Sequence, residues 1–451
     1  MLLNTTGEAH AHTNIATPTF GIPSALQRFE PTHAAALTRL RAVNPSAYAR
    51  TRNALDGAVT GLSPYFTHGL LTTAEAARQV HHKYPLTFDD KLMFELAWRE
   101  FFHHVWSRAE RQGDAIFSDM RATAPWPGTY ADTLPDDIRE ARTGVAVIDT
   151  TVRLLYATGY LHNHARMWLA SYVVHVRKVH WRLGADWLYT HLLDGDLPSN
   201  HLSWQWVAGT FSSKPYLFNA ENVLKFAPAS ARAAWASPHT VIDQSYEAMD
   251  ILAREKRDAG PERGMHAAVA EPESFDNVPD GLVQAISASN QALAAVFKPD
   301  AAISLIANLR SGDTLELVHP WALAFPAATA GANCRRLGVI HQPAHALWPW
   351  SAARWQFVLQ AMAGVVDAVW VGDLSELRAS LNVAASTRLS AQACRFPGYR
   401  QALSRVATTL SPAPLLLPNP AGLCRSFTAF YQQARRDAGP LPALLGIDSH
   451  H

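Results

Sequence analysis

The spacing of apolar residues changes once along the chain, and this change limits the folds that it can adopt. From Pro31 to about residue 235, apolar positions recur at helical intervals in long segments separated by Gly or by Pro-rich turns. After about residue 300, short apolar runs alternate with helical segments, which is typical of βαβ units. The sequence therefore predicts a mostly α-helical domain followed by a smaller α/β domain with a parallel, Rossmann-like sheet.

Composition indicates where these parts begin and end. Residues 1–24 are polar and contain Pro, so we expect a flexible N-terminal arm. The helical domain is predicted over 25–235, a connecting segment with weaker periodicity over 236–300, and the α/β domain over 301–451. A chain of 451 residues with 48% hydrophobic content can fill two cores.

One helical pattern bears on the later argument. The segment YLHNHARMWLASYVVHVRKVHW, residues 160–181, has helical spacing throughout. It predicts one long helix, followed by a second over GADWLYTHLLDG.

Charge and cysteine content exclude some classes of protein. The chain carries 39 Lys and Arg against 38 Asp and Glu, so a polyanion would require a local basic face. Candidates for such a face are Arg108, Arg177, Lys178 and Arg182. The three Cys residues are too far apart for a CxxC zinc pattern, which argues for no metal site, no disulfide framework and a reducing cytoplasm. Without an apolar stretch of about 18 residues, we expect a cytoplasmic protein that does not enter membranes.

Polar and aromatic residues cluster at three places in the helical part. Glu95, Trp98 and Arg99 share one helix face with Phe102, which spacing alone explains equally well as an amphipathic surface with an ion pair. Asn163 and Met167 stand four residues apart on a later helix. The third cluster consists of Asp194, Asp196, Asn200, Trp204 and Trp206. Its acids could simply cap a helix.

Five segments in order connect these clusters to a known family. They are SPYFTHGLLT, ELAWREFFHHVW, TGVAVIDTTVRLLYATGYLHNHARMWLASY, DWLYTHLLDGDLPSNHLSWQWVAGT and KPYLFNAENVLKFAP. Together they closely resemble the FAD-binding helical domain of the photolyase and cryptochrome family. The resemblance runs from about Tyr48 to Phe226.

The resemblance implies that the helical domain binds a bent FAD molecule. The positions matching flavin contacts are Tyr48, Thr60, Gly61, Leu62, Ser63, Arg99, Arg166, Asp194, Asp196 and Asn200. The loop from Thr60 to Ser63 matches the phosphate-binding segment, and free amides at a helix start suit a pyrophosphate on physical grounds as well. Arg166 and Asp194 match an ion pair beside the isoalloxazine ring. Asn200 matches the residue that faces flavin N5.

The resemblance also gives the Trp residues two different roles. Trp204 and Trp181 match the inner and middle members of a chain of indoles that carries electrons to photoexcited flavin. The outer member has no residue in clear register, and Trp126 and Tyr130 are the candidates. Trp98 and Trp206 match the two walls that hold a flipped-out lesion by stacking.

Substrate choice depends on the lesion side of the site. Glu95, Asn163 and Met167 match residues of enzymes that repair cyclobutane pyrimidine dimers, whereas enzymes for (6-4) photoproducts place two His at the latter two positions. His164 stands where an Arg that grips DNA phosphate is common, so we expect weaker backbone binding.

The C-terminal part resembles the antenna domain of the same family only faintly. RWQFVLQAM, VWVGDLSEL and SFTAFYQQARR match pieces of that α/β domain, which normally precedes the FAD domain instead of following it. No GxGxxG or GxxxxGK motif follows a predicted strand. The match to the antenna domain is sparse, and DTLELVHPWAL lacks the Arg-Asp-Leu-Arg signature of the usual first strand. A scaffold without a second chromophore is therefore at least as consistent with this sequence as a pigment-binding domain.

The resemblance favours a light-driven, FAD-dependent photolyase acting on damaged DNA, single- or double-stranded, as a monomer. The alternative is a cryptochrome-like photoreceptor that signals without repair, which His164 and the near-neutral charge favour. A third possibility is a flavoprotein that has lost photochemistry and acts as a binding module. The presence of Asn200, Trp181 and Trp204 argues against it.

Overall fold

The computed structural model describes residues 21–109, 115–121, 130–262, 267–289, 291–298, 300–324, 333–381 and 388–447. Most of the predicted N-terminal arm lies outside these ranges, and so does Trp126. Within them, no helix combines the length and the apolar character that a bilayer crossing requires.

Thirteen helices of the described residues form the N-terminal half. They are α1 (His33–Ala42), α2 (Pro45–Thr51), α3 (Ser63–Thr67), α4 (Thr73–Lys83), α5 (Lys91–Ala109), α6 (Asp136–Arg139), α7 (Ala146–Thr158), α8 (Asn163–Ser171), α9 (Trp181–His191), α10 (Leu197–Ala208), α11 (Ala220–Phe226), α12 (Arg232–Trp235) and α13 (Tyr246–Arg254). Short 3₁₀ turns occupy Ser24–Leu26, Ala115–Phe117 and Ala229–Ala231. We call this part the helical half.

The prediction of one continuous helix over residues 160–181 is wrong. Helix α8 ends at Ser171, a π-helical turn covers Tyr172–Val176, and α9 begins only at Trp181. Lys178 adopts a left-handed backbone with φ 49°, and its ammonium group donates to the carbonyl oxygens of His175, Leu252 and Ala253. These three hydrogen bonds hold a break that helical spacing does not reveal.

The C-terminal half alternates strands and helices around a parallel sheet. Its strands, with the short β1 before them, are β1 (Ser274–Phe275), β2 (Thr314–Val318), β3 (Cys334–His341), β4 (Trp350–Ser351), β5 (Ala368–Gly372), β6 (Arg388–Gln392) and β7 (Thr409–Ser411). Its helices are α14 (Asp280–Ser289), α15 (Gln291–Val296), α16 (Ala301–Ala307), α17 (Gln342–His345), α18 (Ala352–Ala363), α19 (Leu374–Ser380), α20 (Tyr399–Val406), α21 (Phe427–Ala438) and α22 (Leu441–Leu444). We call this part the sheet half.

Five of these strands form one parallel sheet in the order β5-β3-β2-β6-β7. The central strand β2 pairs with β3 through Leu317↔Leu337 and with β6 through Leu315↔Leu389. These residues are buried, as expected of a parallel strand covered on both faces. The predicted fold class, a helical domain followed by a smaller α/β domain, is confirmed.

The two halves share one continuous hydrophobic core. Strand β1 pairs with β4 antiparallel through Phe275↔Trp350, which ties the segment between the halves to the sheet half. The ring nitrogens of His68, at the end of α3, lie 2.7 Å from the Pro320 carbonyl oxygen and 2.9 Å from that of Leu193. His68 therefore bridges a loop of the sheet half and the loop that leads into α10.

Candidate functional site

A cavity of about 350 Å³ opens among α2, α3, α5, α8 and α10 of the helical half. Most of the predicted site residues line it, namely Tyr48, Thr60, Gly61, Ser63, Glu95, Trp98, Arg99, Asn163, Arg166, Met167, Asp194, Asp196, Asn200 and Trp204. Three predicted residues do not line it, namely Leu62, Trp181 and Trp206. Segments more than 100 residues apart in sequence thus meet in one place.

The loop before α3 supplies one wall of this cavity. Gly61 has φ +60°, a left-handed conformation that favours Gly, and a Cβ there would come within 2.8 Å of the Leu26 side chain. Leu62 is buried and directs its side chain into the core. The loop therefore turns sharply beside the cavity, which places Thr60 and Ser63 at its edge.

The loop before α10 also lines the cavity and carries a buried acid, Asp194. The carboxylate of Asp194 accepts from Ser63 Oγ at 2.5 Å and from Arg166 Nη2 at 2.7 Å, both through Oδ2. Burial disfavours the charged Arg166, but the Asp194 carboxylate outweighs it and the Arg166 pKa is raised. Asp194 Oδ1 is buried and has no hydrogen-bond partner among the described residues. A buried acceptor in this state is available to a bound ligand.

Asp196 is the second acid of the site, and it caps helix α10. Its carboxylate accepts from the backbone amide of Ser199 at 3.2 Å, and Arg99 Nη2 and His103 Nε2 lie 3.3 and 3.0 Å from its Oδ1. Burial alone would raise the pKa of Asp196, but Arg99 and His103 hold that pKa well below the ordinary carboxyl range. Asp196 is therefore ionised at neutral pH.

Asn200 lies one turn further along α10 with its amide group oriented by α9. Its Nδ2 donates to the carbonyl oxygen of Ala185 at 2.7 Å. Because the nitrogen is held against α9, the amide oxygen is on the opposite side of the group, and Asn200 lines the cavity. This orientation presents an acceptor to whatever occupies the cavity.

The residues predicted for the lesion side lie at the cavity mouth. Glu95 on α5 is 41% exposed, and Arg52 Nε lies 3.4 Å from its Oε1. Burial raises the pKa of Glu95, although Arg52 opposes this shift. Asn163 Nδ2 contacts Met167 Sδ at 3.3 Å on α8. These groups form a partly exposed polar rim around the opening.

The two predicted aromatic walls have different environments. One face of Trp98 is covered by Phe427 of α21, with ring centroids 4.1 Å apart and an interplanar angle of 7°. Trp206 on α10 is 38% exposed and packs beside Tyr216 at 6.0 Å. Trp98 therefore lines the cavity with its ring held among Phe427, Phe101 and Phe102, whereas Trp206 exposes part of its indole to solvent outside the lining of the cavity.

The two predicted electron-transfer residues are enclosed. Trp204 is 2% exposed and lies directly over Gly184, where a Cβ would overlap its ring. Trp181, also 2% exposed, begins α9 and donates its indole N–H to Asp119 Oδ1 at 2.7 Å. Tyr130 approaches this end of α9, with its ring 6.3 Å from His180.

The predicted basic face does not form. Arg177 and Lys178 are buried, and the Arg177 guanidinium pairs with Asp137 and Asp258. Arg182 pairs with Asp186 at 2.7 Å. Arg108 donates through Nη2 to the Pro420 carbonyl oxygen at 2.6 Å. The break at Lys178 turns Arg177 and Lys178 into the core.

His164 is packed among other side chains. Its ring lies 4.6 Å from that of Phe226, and burial, followed by the nearby Arg52 charge, lowers its pKa to about 4. A neutral imidazole at this position supplies no charge for a phosphate contact.

The cavity suits the cofactor that the sequence implies. Asp194 with its unpartnered carboxylate oxygen, the left-handed turn at Gly61 and Asn200 with its oriented amide all line this one cavity. These groups match a ligand with polar ring atoms at one end and phosphates at the other. In the described part of the chain, no group of three or more His, Cys, Asp or Glu is arranged to hold a metal ion.

A second cavity, of about 980 Å³, lies between the two halves. Phe66, Arg99 and Asp196 line both cavities. The wall between the two spaces is therefore formed partly by the residues that set the charge of the smaller one.

Sequence reasoning missed several residues of the site. Arg52 stands four residues after Tyr48 on α2, so helical spacing could have indicated it. His103 likewise follows Arg99 by four positions on α5. Phe427 comes from more than 300 residues away, and nothing in its local sequence connects it to Trp98.

Comparisons with known proteins found matches to part of this chain. Residues 92–231 match the family model described as the FAD binding domain of DNA photolyase. The chain is 37% identical over 153 residues to the deoxyribodipyrimidine photo-lyase of Streptomyces griseus, covering 34% of this chain and 32% of that protein. It is 31% identical over 215 residues to the deoxyribodipyrimidine photo-lyase of a Synechococcus strain, covering 45% and 44%.

Cryptochromes are also among the similar proteins. Identity to the cryptochrome DASH of Oryza sativa is 32% over 171 residues, covering 36% of this chain and 28% of that protein. Each of these matches spans less than half of the relative's length. Among solved structures, a Synechocystis cryptochrome has a TM-score of 0.41 and 23% identity, covering 50% of this chain and 51% of the other. A class III photolyase from Agrobacterium tumefaciens has a TM-score of 0.39 and 24% identity, covering 52% and 53%.

Proposed function

The chain belongs to the photolyase and cryptochrome family through its FAD-binding domain, and from this premise we propose that it repairs cyclobutane pyrimidine dimers in DNA with light. The electron would come from reduced FAD held by Asp194, Arg166, Asp196 and Asn200. Bound in that state, the flavin supplies a photoexcited one-electron donor. The fold and the cofactor follow from the family, whereas the substrate rests on the residues of the site.

One observation carries the choice of substrate. Of the residues predicted to contact the lesion, Glu95, Trp98, Asn163 and Met167 line the same cavity as most of those predicted to contact the flavin. Glu95 is 41% exposed and Asp194 is 3% exposed, which supports a lesion side that faces solvent and a cofactor side that is buried. A flipped-out base pair entering from solvent would therefore meet the lesion side first and come to rest against the cofactor side.

Glu95 supplies the polar contact in this proposal. Its raised pKa keeps a larger fraction of the carboxyl protonated than an ordinary Glu would have at the same pH. A protonated carboxyl donates a hydrogen bond to a pyrimidine carbonyl oxygen, and that bond strengthens as negative charge develops there. Arg52, 3.4 Å away, is placed to hold the side chain in the absence of substrate.

Trp98 supplies the apolar contact. Because Phe427 stacks on its indole at 4.1 Å and Phe101 and Phe102 lie beside it, the ring is held in one orientation. In this proposal the lesion stacks on the part of the ring that lines the cavity. Stacking on a fixed ring costs less conformational entropy than stacking on a mobile one.

The direct test follows dimers in irradiated oligonucleotides. Single- and double-stranded substrates are incubated with the fully reduced protein in blue light and in darkness, and recovery of thymine absorbance is measured. We expect recovery that depends on light in at least one strand form. Bound, reduced flavin without any light-dependent recovery would contradict the proposal.

A second candidate function is a cryptochrome-like photoreceptor that signals without repair. The packing of His164 against Phe226 and its pKa of about 4 favour it, because this position then contributes no charge toward a DNA backbone. The same experiment separates the two, since a photoreceptor would reduce its flavin in light and leave dimers unchanged.

A further inference from the structure

The sheet half sends one fully enclosed side chain toward the flavin-binding cavity. Arg354, near the start of α18, is 0% exposed. Its Nη1 donates to the Tyr189 carbonyl oxygen at 2.8 Å, and its Nη2 donates to the Gly195 carbonyl oxygen at 2.6 Å. Gly195 is the residue between Asp194 and Asp196. The guanidinium thus holds the backbone of the loop that carries both acids of the site.

Arg354 has neighbours that are unusual for a buried cation. In the described part of the chain no carboxylate lies within ion-pair distance of it, and its Nε has no hydrogen-bond partner. Its guanidinium carbon lies 4.4 Å from the ring centroid of Tyr189 and 4.2 Å from that of Trp350. Two aromatic faces and two carbonyl oxygens therefore enclose the charge, and the acids that balance it at longer range are Asp194 and Asp196.

The fit between Arg354 and the loop is close. A Cβ at Gly195 would overlap Arg354 Nη1 and come within 2.8 Å of the Tyr189 carbonyl oxygen. Only the absence of a side chain at position 195 lets the guanidinium reach the backbone. The contact is specific to this pair of residues and would not survive a simple substitution on either side.

The loop is held on its other side by the groups of the cavity. Ser63 and Arg166 bind the Asp194 carboxylate, and Thr67 Oγ1 donates to the Asp194 carbonyl oxygen at 3.2 Å. Removal of Arg354 would leave these contacts in place but free the backbone between the two acids. Their carboxylates would then be ordered less well relative to Arg99 and Arg166.

We propose that Arg354 is a positioning residue through which the sheet half fixes the Asp194–Asp196 loop, and thereby sets the affinity and the reduction potential of the flavin. The inference rests on the proposed flavin site but not on the proposed substrate. In this proposal the sheet half affects the flavin site through Arg354, independently of whether it binds a second chromophore.

The test compares Arg354→Gln with Arg336→Gln as a matched control. Arg336 is also a buried arginine of the sheet half, and its side chain binds Glu316 at 2.9 Å and the carbonyl oxygens of Val365 and Ala324, all of which belong to the sheet half. For each variant we would measure Tm, FAD affinity by fluorescence titration, the flavin midpoint potential, and hydrogen exchange of the loop amides in the FAD-free protein.

We expect Arg354→Gln to weaken FAD binding roughly tenfold, because losing a charged hydrogen bond has about that effect. It should also shift the midpoint potential and speed exchange at the amides of 193–197. Arg336→Gln should lower Tm while leaving these three readouts near wild type. Equal changes in both variants, or wild-type affinity and potential in Arg354→Gln, would overturn the proposal.

Two further variants keep the proposal testable if Arg354→Gln does not fold. Gly195→Ala pushes the guanidinium away from the loop without removing its charge, and it should reproduce the loss of affinity. Arg354→Lys retains the charge and one of the two hydrogen bonds, so its affinity should lie between those of the wild type and Gly195→Ala. Wild-type affinity in Gly195→Ala would overturn the proposal. Intact FAD binding without dimer repair would contradict the proposed substrate alone.

Discussion

Arg166 and Arg354 meet the same loop from opposite sides, and they do so by different chemistry. Arg166, in the helical half, is 26% exposed and pairs with the Asp194 carboxylate at 2.7 Å. Arg354, in the sheet half, is enclosed and binds the carbonyl oxygens of Tyr189 and Gly195. Arg166 balances the charge of the Asp194 carboxylate, which is predicted to contact FAD. Arg354 instead holds the backbone of the loop that carries this carboxylate.

The difference separates two kinds of contribution to one site. A buried ion pair orients its members more reliably than it stabilises the fold. Loss of Asp194 should therefore reduce FAD affinity more than it reduces the stability of the fold. A backbone support acts on whatever the loop carries, so its loss should change binding more gently. In our proposal the helical half supplies the residues that contact FAD and DNA, and the sheet half holds the loop that carries two of them.

The largest effect should come from Asp194→Ala. We expect FAD affinity to fall roughly 100-fold, because the substitution leaves the Arg166 charge without its carboxylate. Flavin absorbance of the purified variant and a fluorescence titration measure this loss. Asp137→Ala is the matched control, since it removes a buried acid that pairs with Arg177 away from the cavity. An equal loss of FAD in both variants would contradict the assignment of Asp194 as a residue that contacts FAD and does more than support the fold.

The two Trp residues of α10 should separate electron supply from lesion binding. Trp204→Phe should abolish light-driven reduction of the oxidised flavin while leaving repair by chemically reduced flavin largely intact, because Trp204 is enclosed beside Gly184. Trp206→Ala should do the reverse and weaken binding of damaged DNA roughly tenfold through lost stacking. Transient absorption and a DNA-binding titration measure the two effects. Parallel losses in both variants would mean that these neighbours share one role.

Glu95→Ala should slow repair roughly tenfold and leave FAD bound, as expected for one polar contact to the reacting group. Burial raises the Glu95 pKa, and only the protonated carboxyl donates a hydrogen bond, so the wild-type advantage should shrink as pH rises through that raised pKa. Rates of dimer loss across pH measure it. Glu95→Gln keeps a donor at every pH and should show a flat profile. A loss of flavin from Glu95→Ala would place this residue on the cofactor side instead.

The last prediction concerns the acid stability of each half and does not depend on FAD. Burial lowers the pKa of His175 and of His319 from 6.5 to about 4. Between these values only the unfolded state takes up the proton, so the free energy of unfolding should fall as pH drops through this window. The loss is at most about 3 kcal/mol for each residue. Urea unfolding at about pH 7.5 and about pH 4.5 measures it in the wild type, His175→Gln and His319→Gln.

The two His variants also report on how the halves unfold. If the shared core makes one cooperative unit, both should reduce the acid sensitivity of a single transition. If the halves unfold separately, His319→Gln should alter only the transition of the sheet half. An acid profile identical to wild type in both variants would contradict the assignment.

Much of the site could be predicted because its residues lie on helix faces at regular spacing. Glu95, Trp98 and Arg99 share a face of α5, and Asn163 and Met167 share a face of α8, so local periodicity together with the family motifs brought them together. The fold class followed in the same way from the change in apolar period. Local rules suffice where one helix supplies neighbouring groups.

The sequence could not predict the features that depend on distant contacts. The break between α8 and α9 exists because Lys178 finds the carbonyl oxygens of Leu252 and Ala253, more than 70 residues later. The cover on Trp98 comes from Phe427, and the support of Gly195 comes from Arg354. At Lys178, tertiary contacts prevented the helix that the local sequence pattern predicts. At Trp98 and Gly195, tertiary contacts added partners that the local sequence does not indicate.

The order of the two halves has a consequence for how the protein is made. Arg354 follows Gly195 by 159 residues, which a ribosome takes roughly 10 to 30 s to add. During that interval the nascent helical half already contains both acids, but the Gly195 carbonyl oxygen between them lacks its Arg354 donor. Cofactor loading during translation should therefore be reversible at first and become durable only when the last third of the chain has emerged.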